Sequence, residues 1–427
     1  MKHFLKSIVA FLLALLARGI LLKYRPKIVM VTGSVGKTST KDAVAAALRS
    51  SFHLRESEKS YNSEFGVPLT IIGAKNPWTN PYAWVRVIGE ALALIFLPNH
   101  YPKLLVLEVG ADSPGDLKRI LNIATPDVVV VTRLPEVPVH VEAYASAAAV
   151  REEEFAPAYA LPQGAPLIIS ADDRYAKHLA SRLSAQVTTY GFEKDADVQL
   201  SEAKVLLSGT APLGMQANLT IGKATHPLET RGALGRPQLY APAAAVACAL
   251  SLGLTTKDAL KALESYVPPA GRSRILKGKQ NSVLIDDSYN ASPAAVEEAL
   301  GSLSLVPAKR RIAVLGDMLE LGRYSAEEHE RIGKLAAKHA DLVIGVGPRS
   351  KKLSEAALSI HKNKNRAHHF DDAYAAAEYL SGMIEAGDVI LIKGSQSIRV
   401  ERVVEALLAD AADAAHLVRQ EREWKKR

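Results

Sequence analysis

One cysteine in 427 residues, Cys248, has no partner for an internal disulfide, so the fold rests on its core and suits a reducing compartment. Cys248 sits in the small, apolar run Ala243 to Leu250 and reads as a packed residue, since a nucleophile would need a base beside it. Aromatic residues are scarce at 6%, and no run of Lys and Arg is interleaved with them, which leaves nucleic acid out as a partner. Acid is in deficit. The formal charge of +8 favours anionic partners such as nucleotides, phosphorylated metabolites or an anionic membrane face.

What is present is the composition of a globular protein, 48% hydrophobic against 23% charged, in a chain too long for one ordinary core. From Lys27 onward, strands alternate with helices. Lys27–Thr32, Leu104–Val109, Asp127–Val131 and Leu167–Ser170 read as buried strands, with a helix from Thr38 to about Arg49. That alternation predicts a mainly parallel sheet covered by helices. Between residues 198 and 230 the pattern turns hairpin-like, and two Ala/Leu-rich helices follow, ending near Tyr266. Val267-Pro268-Pro269-Ala270-Gly271 reads as a linker, after which strands recur at Val283–Asp286, Ile312–Leu315, Leu342–Val346 and Val389–Ile392. The expected organisation is an apolar helix over residues 1–26, a phosphate-loop parallel-sheet α/β domain over 27–270, and a Rossmann-like α/β domain over 271–427. The Ala-rich end, Val400 to Arg427, reads as one or two helices with a solvated basic tip.

Gly33-Ser34-Val35-Gly36-Lys37-Thr38-Ser39 lies between a buried strand and a helix. Glycines there let backbone N–H groups turn toward phosphate oxygens, and the helix N-terminus adds a favourable dipole. Lys37 can reach the β- and γ-phosphates, and the Thr38 hydroxyl can ligate Mg²⁺. Val31 stands where the longer form of this loop has its first glycine, so this is the short form. ATP and Mg²⁺ are the expected cofactors.

Ahead of the loop, Ile8 to Ala17 is unbroken apolar sequence. As helix it reaches ~15 Å, about half of the ~30 Å hydrocarbon core of a bilayer. Extended from Phe4 to Leu22 it approaches spanning length but takes in Lys6 and Arg18. A secretory signal, a membrane-surface or marginally spanning anchor, and a helix packed on the protein are all open readings. An ATP loop so soon afterwards argues against the first. Cations on both flanks favour peripheral contact of residues 1–25 with the anionic inner face of the membrane, on an otherwise cytoplasmic protein.

The loop, with Thr32 ahead of it, resembles that of the Mur ligases and the related folylpolyglutamate synthases. Five further stretches resemble Mur ligase segments in the same order: Tyr61–Thr70, Leu107–Asp112, Ile285–Pro293, Leu315–Gly322 and Lys393–Ser397. The likeness is greatest to the branch that adds D-alanyl-D-alanine to a muramoyl-peptide precursor of the cell wall. It implies that ATP activates a carboxylate as an acyl phosphate and that an amine then displaces phosphate. Lys37, Arg272 and His140 are the implied catalytic residues. Thr38, Glu108, His140 and Glu154 are the implied Mg²⁺ ligands. Asp287 and Asn290 would join the loop in binding nucleotide, and Asn62, Lys393 and Ser395 would bind substrate. A Mur-like ligase for another peptide or lipid-linked substrate, or an ATP-binding partner subunit with weak ligase activity, are the alternatives.

Several positions depart from the family pattern. No counterpart of the domain that holds the UDP-muramoyl group is found ahead of Lys27. An ungapped count from His140 puts Glu154 where the family has a carbamylated lysine. Ala241 stands where the family has an adenine-contacting Asn, with Tyr240 beside it available to stack on the base, and Arg133 replaces another Asn.

Overall fold

The computed structural model describes residues 2–58, 61–78, 80–421 and 424, with side chains from residue 7 onward; the basic tip, Lys425 to Arg427, lies outside them. The strand Lys27–Thr32 (β1) is buried at every position but the first. Such a run suits the middle of a parallel sheet with both faces covered. It is followed by β2 (Leu54–Glu56), β3 (Leu104–Glu108), β4 (Val128–Val131), β5 (Pro166–Ser170) and β6 (Gln186–Gly191). Three longer strands, β7 (Val198–Ser208), β8 (Ala211–Ile221) and β9 (Ala224–Arg231), complete a sheet of order β2-β3-β1-β4-β5-β6-β7-β8-β9. Pairing is parallel from β2 to β7 and antiparallel from β7 to β9, where the sequence turns hairpin-like. The chain leaves β1 to form β2 and β3 on one side and continues at β4 on the other, so strand order reverses at β1. The carboxyl ends of the strands at such a switch point form a ligand crevice.

Two helical layers cover this sheet. One face carries α1 (Lys2–Tyr24), α3 (Gly66–Ile72), α4 (Pro81–Phe96), α5 (Asp116–Leu121), α6 (Ala147–Tyr159) and α7 (Arg174–Ala180). The other carries α2 (Lys37–Leu48) and α8 (Pro237–Ser251), whose alanines let the two helices approach closely. Cys248 lies fully buried in that contact, where burial pushes its thiol up to about 12, so it is a core residue.

The second sheet has order β10-β11-β15-β12-β13-β14, from β10 (Arg274–Lys277), β11 (Val283–Asp287), β12 (Arg310–Gly316), β13 (Leu342–Val346), β14 (Ala367–Phe370) and β15 (Asp388–Lys393). All neighbours are parallel except the edge pair β10–β11. In the helix Ser325–His339 that follows β12, His329 is fully buried. Its Nε2 accepts the Met318 N–H at 3.0 Å and its Nδ1 faces the Ser325 carbonyl at 2.6 Å, an arrangement that fits the neutral ring. Burial holds its pKa below the usual 6.5. The unfolded chain therefore takes up this proton more readily than the folded one, and stability is lost as pH falls below about 6.5. His329→Gln should cost ~1–3 kcal/mol at neutral pH by leaving the Met318 N–H poorly paired. It should also lose less of its melting temperature than the parent between pH 7.5 and 5.5, as paired thermal melts would show.

Helix α1 packs on the protein along one side: Leu13, Leu16, Ala17 and Ile20 are buried against α3 and α4, while Phe11, Leu15 and Leu22 stay exposed. The expected C-terminal helices need adjustment. The chain beyond Val400 forms one short helix, Glu401–Leu407, and a 3-10 turn at Ala411–His416, and residues 417–421 are irregular. Arg419 draws this last segment onto the end of β11, donating to the carbonyls of Ser288 at 2.6 Å and Tyr289 at 3.1 Å, and Leu417 and Val418 are buried with it. Those tertiary contacts override the helical propensity of the alanines.

Candidate active site

The loop leaves β1 through Gly33, whose φ is 112°; a side chain there would collide with the Thr132 hydroxyl at the end of β4. Gly36 turns at φ 91° into the first turn of α2, a left-handed conformation that favours glycine. Lys37 opens the helix, and its ammonium donates to the Gly33 carbonyl and lies 3.6 Å from Glu154 Oε1. Of the three consecutive glutamates on α6, only Glu154 faces the loop: its Oε2 accepts the Gly33 N–H at 3.0 Å. Glu153 instead accepts the N–H groups of Gly115 and Leu117 at the start of α5, and Glu152 pairs with Arg182 and Tyr159 at the surface. Burial pushes the Glu154 carboxyl above its usual range, against the opposing charges of Lys37 and His140 and the Gly33 hydrogen bond.

Parallel pairing sets Val31 beside Glu108, so the end of β3 delivers a carboxylate next to the loop. Glu108 is 1% exposed, its side chain hydrogen-bonds the Thr38 hydroxyl, and its Oε2 has no hydrogen-bond partner. Burial raises its pKa against the pull of Lys37, Lys41 and Arg272. Arg272, at the start of the second half of the chain, reaches back to Thr38 Oγ1 at 3.3 Å and lies over the Tyr289 ring at 4.1 Å.

Two cavities meet at this loop. One, of about 310 Å³, runs past Val35, Gly36 and Ser39 to Tyr240, Gln238, Asp287 and Lys393. Tyr240 packs edge-on against Tyr190 and Phe192 and donates its hydroxyl to Asp172. Ala241 also lines this cavity, as does Gln238, whose Nε2 donates to the Arg272 carbonyl and whose buried Oε1 has no partner. Arg133 lines it too, bridged to Glu298 at 2.7 Å. The other cavity, of about 620 Å³, contains Ser34, Lys37, Thr38, Asn62, Glu108, His140, Asn290 and Ser395. Gly36 and Arg272 border both.

The expected residues divide between the two cavities. Lys393, expected at the substrate, lines the smaller cavity and is committed to Asp287 at 2.8 Å and the Asn290 carbonyl at 3.0 Å. Asn290, expected at the nucleotide, lines the larger one. The register explains it: Asp287 and Lys393 are partners across β11 and β15, whereas Asn290 lies three residues past the strand end. The four expected metal ligands do not form one cluster either. No group of three or more His, Cys, Asp or Glu side chains suited to a metal occurs among the described residues. His140 is paired with Glu320 at 3.0 Å and Asp112 at 3.4 Å. Burial opposes charge on its ring, but the Glu320 hydrogen bond and both carboxylates outweigh that and raise its pKa. Gln238 and Arg399 at these cavities carry no local motif that marks them, and Glu320, though it lies in the Leu315–Gly322 stretch, is given no role by it.

The free Glu108 oxygen beside the Thr38 hydroxyl fits Mg²⁺, which is commonly held by one or two protein oxygens together with phosphate oxygens. A phosphate loop on a parallel sheet, faced across its cleft by a Rossmann-like sheet, defines a nucleotide-binding α/β protein. A family model described as the Mur ligase middle domain matches residues 31–249, and one described as the Mur ligase, glutamate ligase domain, matches residues 271–396. The chain belongs to the Mur ligase family. The UDP-N-acetylmuramoyl-tripeptide–D-alanyl-D-alanine ligase of Bacillus subtilis is 27% identical over 395 residues, 92% of this chain and 78% of that protein. Its Escherichia coli namesake is 28% identical over 389 residues, 89% of this chain and 76% of that protein. The crystal structure of a MurF ligase from Thermotoga maritima in complex with ADP superposes with a TM-score of 0.77 at 26% identity, covering 93% of this chain and 83% of that one.

Proposed function

We propose that the chain is an ATP-dependent amide ligase that joins D-alanyl-D-alanine to a muramoyl-peptide cell-wall precursor in the cytoplasm. The observation that carries this reading is the loop's position as a shared wall: ATP in the smaller cavity would present its γ-phosphate past Gly36 and Arg272 into the larger one. The acceptor carboxylate attacks that phosphorus, the bond to the β,γ-bridging oxygen breaks, and ADP leaves. The amine nitrogen then attacks the acyl carbon, the bond to the phosphate oxygen breaks, inorganic phosphate leaves, and the amine proton passes to solvent. Lys37 and Arg272 hold the phosphoryl oxygens in line and offset their charge. Mg²⁺, held by Glu108 and Thr38, would add charge neutralisation at the phosphates.

In this reading Asp287 and Lys393 border the nucleotide, Gln238 Oε1 accepts from an adenine amino group, and Tyr240 flanks the base. Asn62, Asn290 and Ser395 face the acceptor and the amine. The division of labour follows residues 27–270 and 271–427, with residues 1–26 as an added helix. Acceptor-dependent phosphate release and product mass, followed across a panel of acyl acceptors and amines, test it. Phosphate should appear only with UDP-muramoyl-tripeptide and D-alanyl-D-alanine together. ATP binding without any acceptor-dependent release would reduce the chain to a binding subunit, and turnover with a different pair would reassign its substrate.

Arg272→Ala should lower turnover by roughly 10²-fold or more, the scale for removing one charge-stabilising donor. Steady-state kinetics should place the loss in kcat, with ATP affinity changed much less. A purely structural role would instead lower the melting temperature and leave kcat near normal.

A further inference from the structure

We infer that α1 and α4 form a single docking face for an anionic lipid bilayer, a property beyond the ligase reading. On α1, Ile8, Phe11, Leu15 and Leu22 are 46%, 72%, 57% and 74% exposed, with exposed Arg18 completing a stripe spaced three and four residues apart. On α4, Tyr82, Val85, Leu92 and Phe96 are 86%, 70%, 41% and 76% exposed, with exposed Gly89 completing the same spacing. That spacing puts each stripe on one side of its helix. The opposite sides bury Leu13, Leu16, Ala17 and Ile20 of α1, and Val87, Ala91 and Leu94 of α4, in one shared core cluster. Both stripes therefore look outward from the same face of the first sheet. Contact between the helices is close: Gly19 meets Ile95, and the Lys23 ammonium caps the carbonyls of Leu94 at 2.8 Å and Leu97 at 2.7 Å. Isolated surface hydrophobics need no explanation, but two aligned stripes on packed helices make a contiguous apolar face of the kind that marks an interaction surface.

Charge selects the partner. Residues 7–27 contain four Lys or Arg and no acid, and residues 75–103 contain three against Glu90 alone, which pairs with Arg86. A two-fold dimer through this face would set those cations against their own copies. An anionic lipid surface meets them with the opposite charge while the apolar stripes enter the headgroup and acyl boundary. By length and composition Ser7–Tyr24 also qualifies to cross a membrane. Crossing would strip Leu13, Ala17 and Ile20 from the core, where they are at most 1% exposed. The helix instead lies in the plane of the surface, beside α4.

The test is sedimentation of the full chain with vesicles of phosphatidylcholine alone or mixed equally with phosphatidylglycerol. Phe11→Ser/Leu15→Ser alters α1 and Val85→Ser/Phe96→Ser alters α4, each at exposed positions, with thermal melts and ATP binding as controls for folding. The parent should bind the mixed vesicles and be released in part by salt. Each pair should weaken binding by roughly tenfold or more, in line with the apolar area removed. Normal vesicle binding by the α4 pair would overturn the shared face, as would equal binding to phosphatidylcholine alone or none by the parent. A dimer in solution that either pair converts to monomer would assign the face to a second copy and also overturn the proposal.

Discussion

Lys37→Ala should abolish acceptor-dependent phosphate release, with turnover falling by roughly 10³-fold or more, a loss at or above the upper end for one charge-stabilising donor. The ammonium already sits on the loop, against the Gly33 carbonyl and within 3.6 Å of Glu154, so it is placed before nucleotide arrives. The neighbouring cations are engaged elsewhere: Lys41 is bound to the Ser57 carbonyl at 2.6 Å, and Arg272 reaches the Thr38 hydroxyl at 3.3 Å. The substitution has a second effect. Glu154, 1% exposed, would keep its hydrogen bond from the Gly33 N–H but lose its neighbouring ammonium, which favours its protonation and lowers stability. The double variant Lys37→Ala/Glu154→Gln removes that buried charge and should regain melting temperature without regaining turnover. Near-normal turnover in either variant would remove the loop from the catalytic machinery.

The scaffold was largely legible because its signals are local. A buried β-branched run, a Gly-rich turn and an Ala-rich helix mark the ATP-loop unit from Lys27 to Leu48 with little help from the rest of the chain. Glu108 was legible for a related reason, since an acidic residue ending a buried strand points into the crevice of a parallel sheet. What escaped depends on packing between distant segments. Helix α4 has apolar residues on both its sides, and its packing against α1 and α3 decides which of them are buried. The placement of Lys393 and Asn290 in different cavities depends on cross-strand register, which one strand's sequence does not encode. His140 and Glu320 come from opposite halves of the chain, and their pairing exists only once the second sheet closes over the first.

The three glutamates of α6 should separate sharply on substitution, because the helix turns each toward a different neighbour. Glu154→Ala should lower turnover by roughly 10²-fold, since Glu154 fixes the Gly33 N–H and the Lys37 ammonium from a buried position. Glu153→Ala should cost ~1 kcal/mol of stability by uncapping α5, with turnover near normal. Glu152→Ala, which removes a surface pair with Arg182, should stay within ~0.5 kcal/mol. Glu154→Gln divides the two roles of the carboxylate. The amide oxygen can still accept the Gly33 N–H, so melting temperature should hold, while loss of the charge facing Lys37 should still slow turnover. A permanent carboxylate at this position also predicts activity independent of dissolved bicarbonate, because no lysine has to be carbamylated. Glu154→Lys should gain activity on addition of bicarbonate, as its longer arm becomes carbamylated and returns a negative charge toward Lys37. Equal, mild effects of alanine at all three glutamates, or bicarbonate dependence in the parent protein, would show that Glu154 does not serve the loop as its geometry implies.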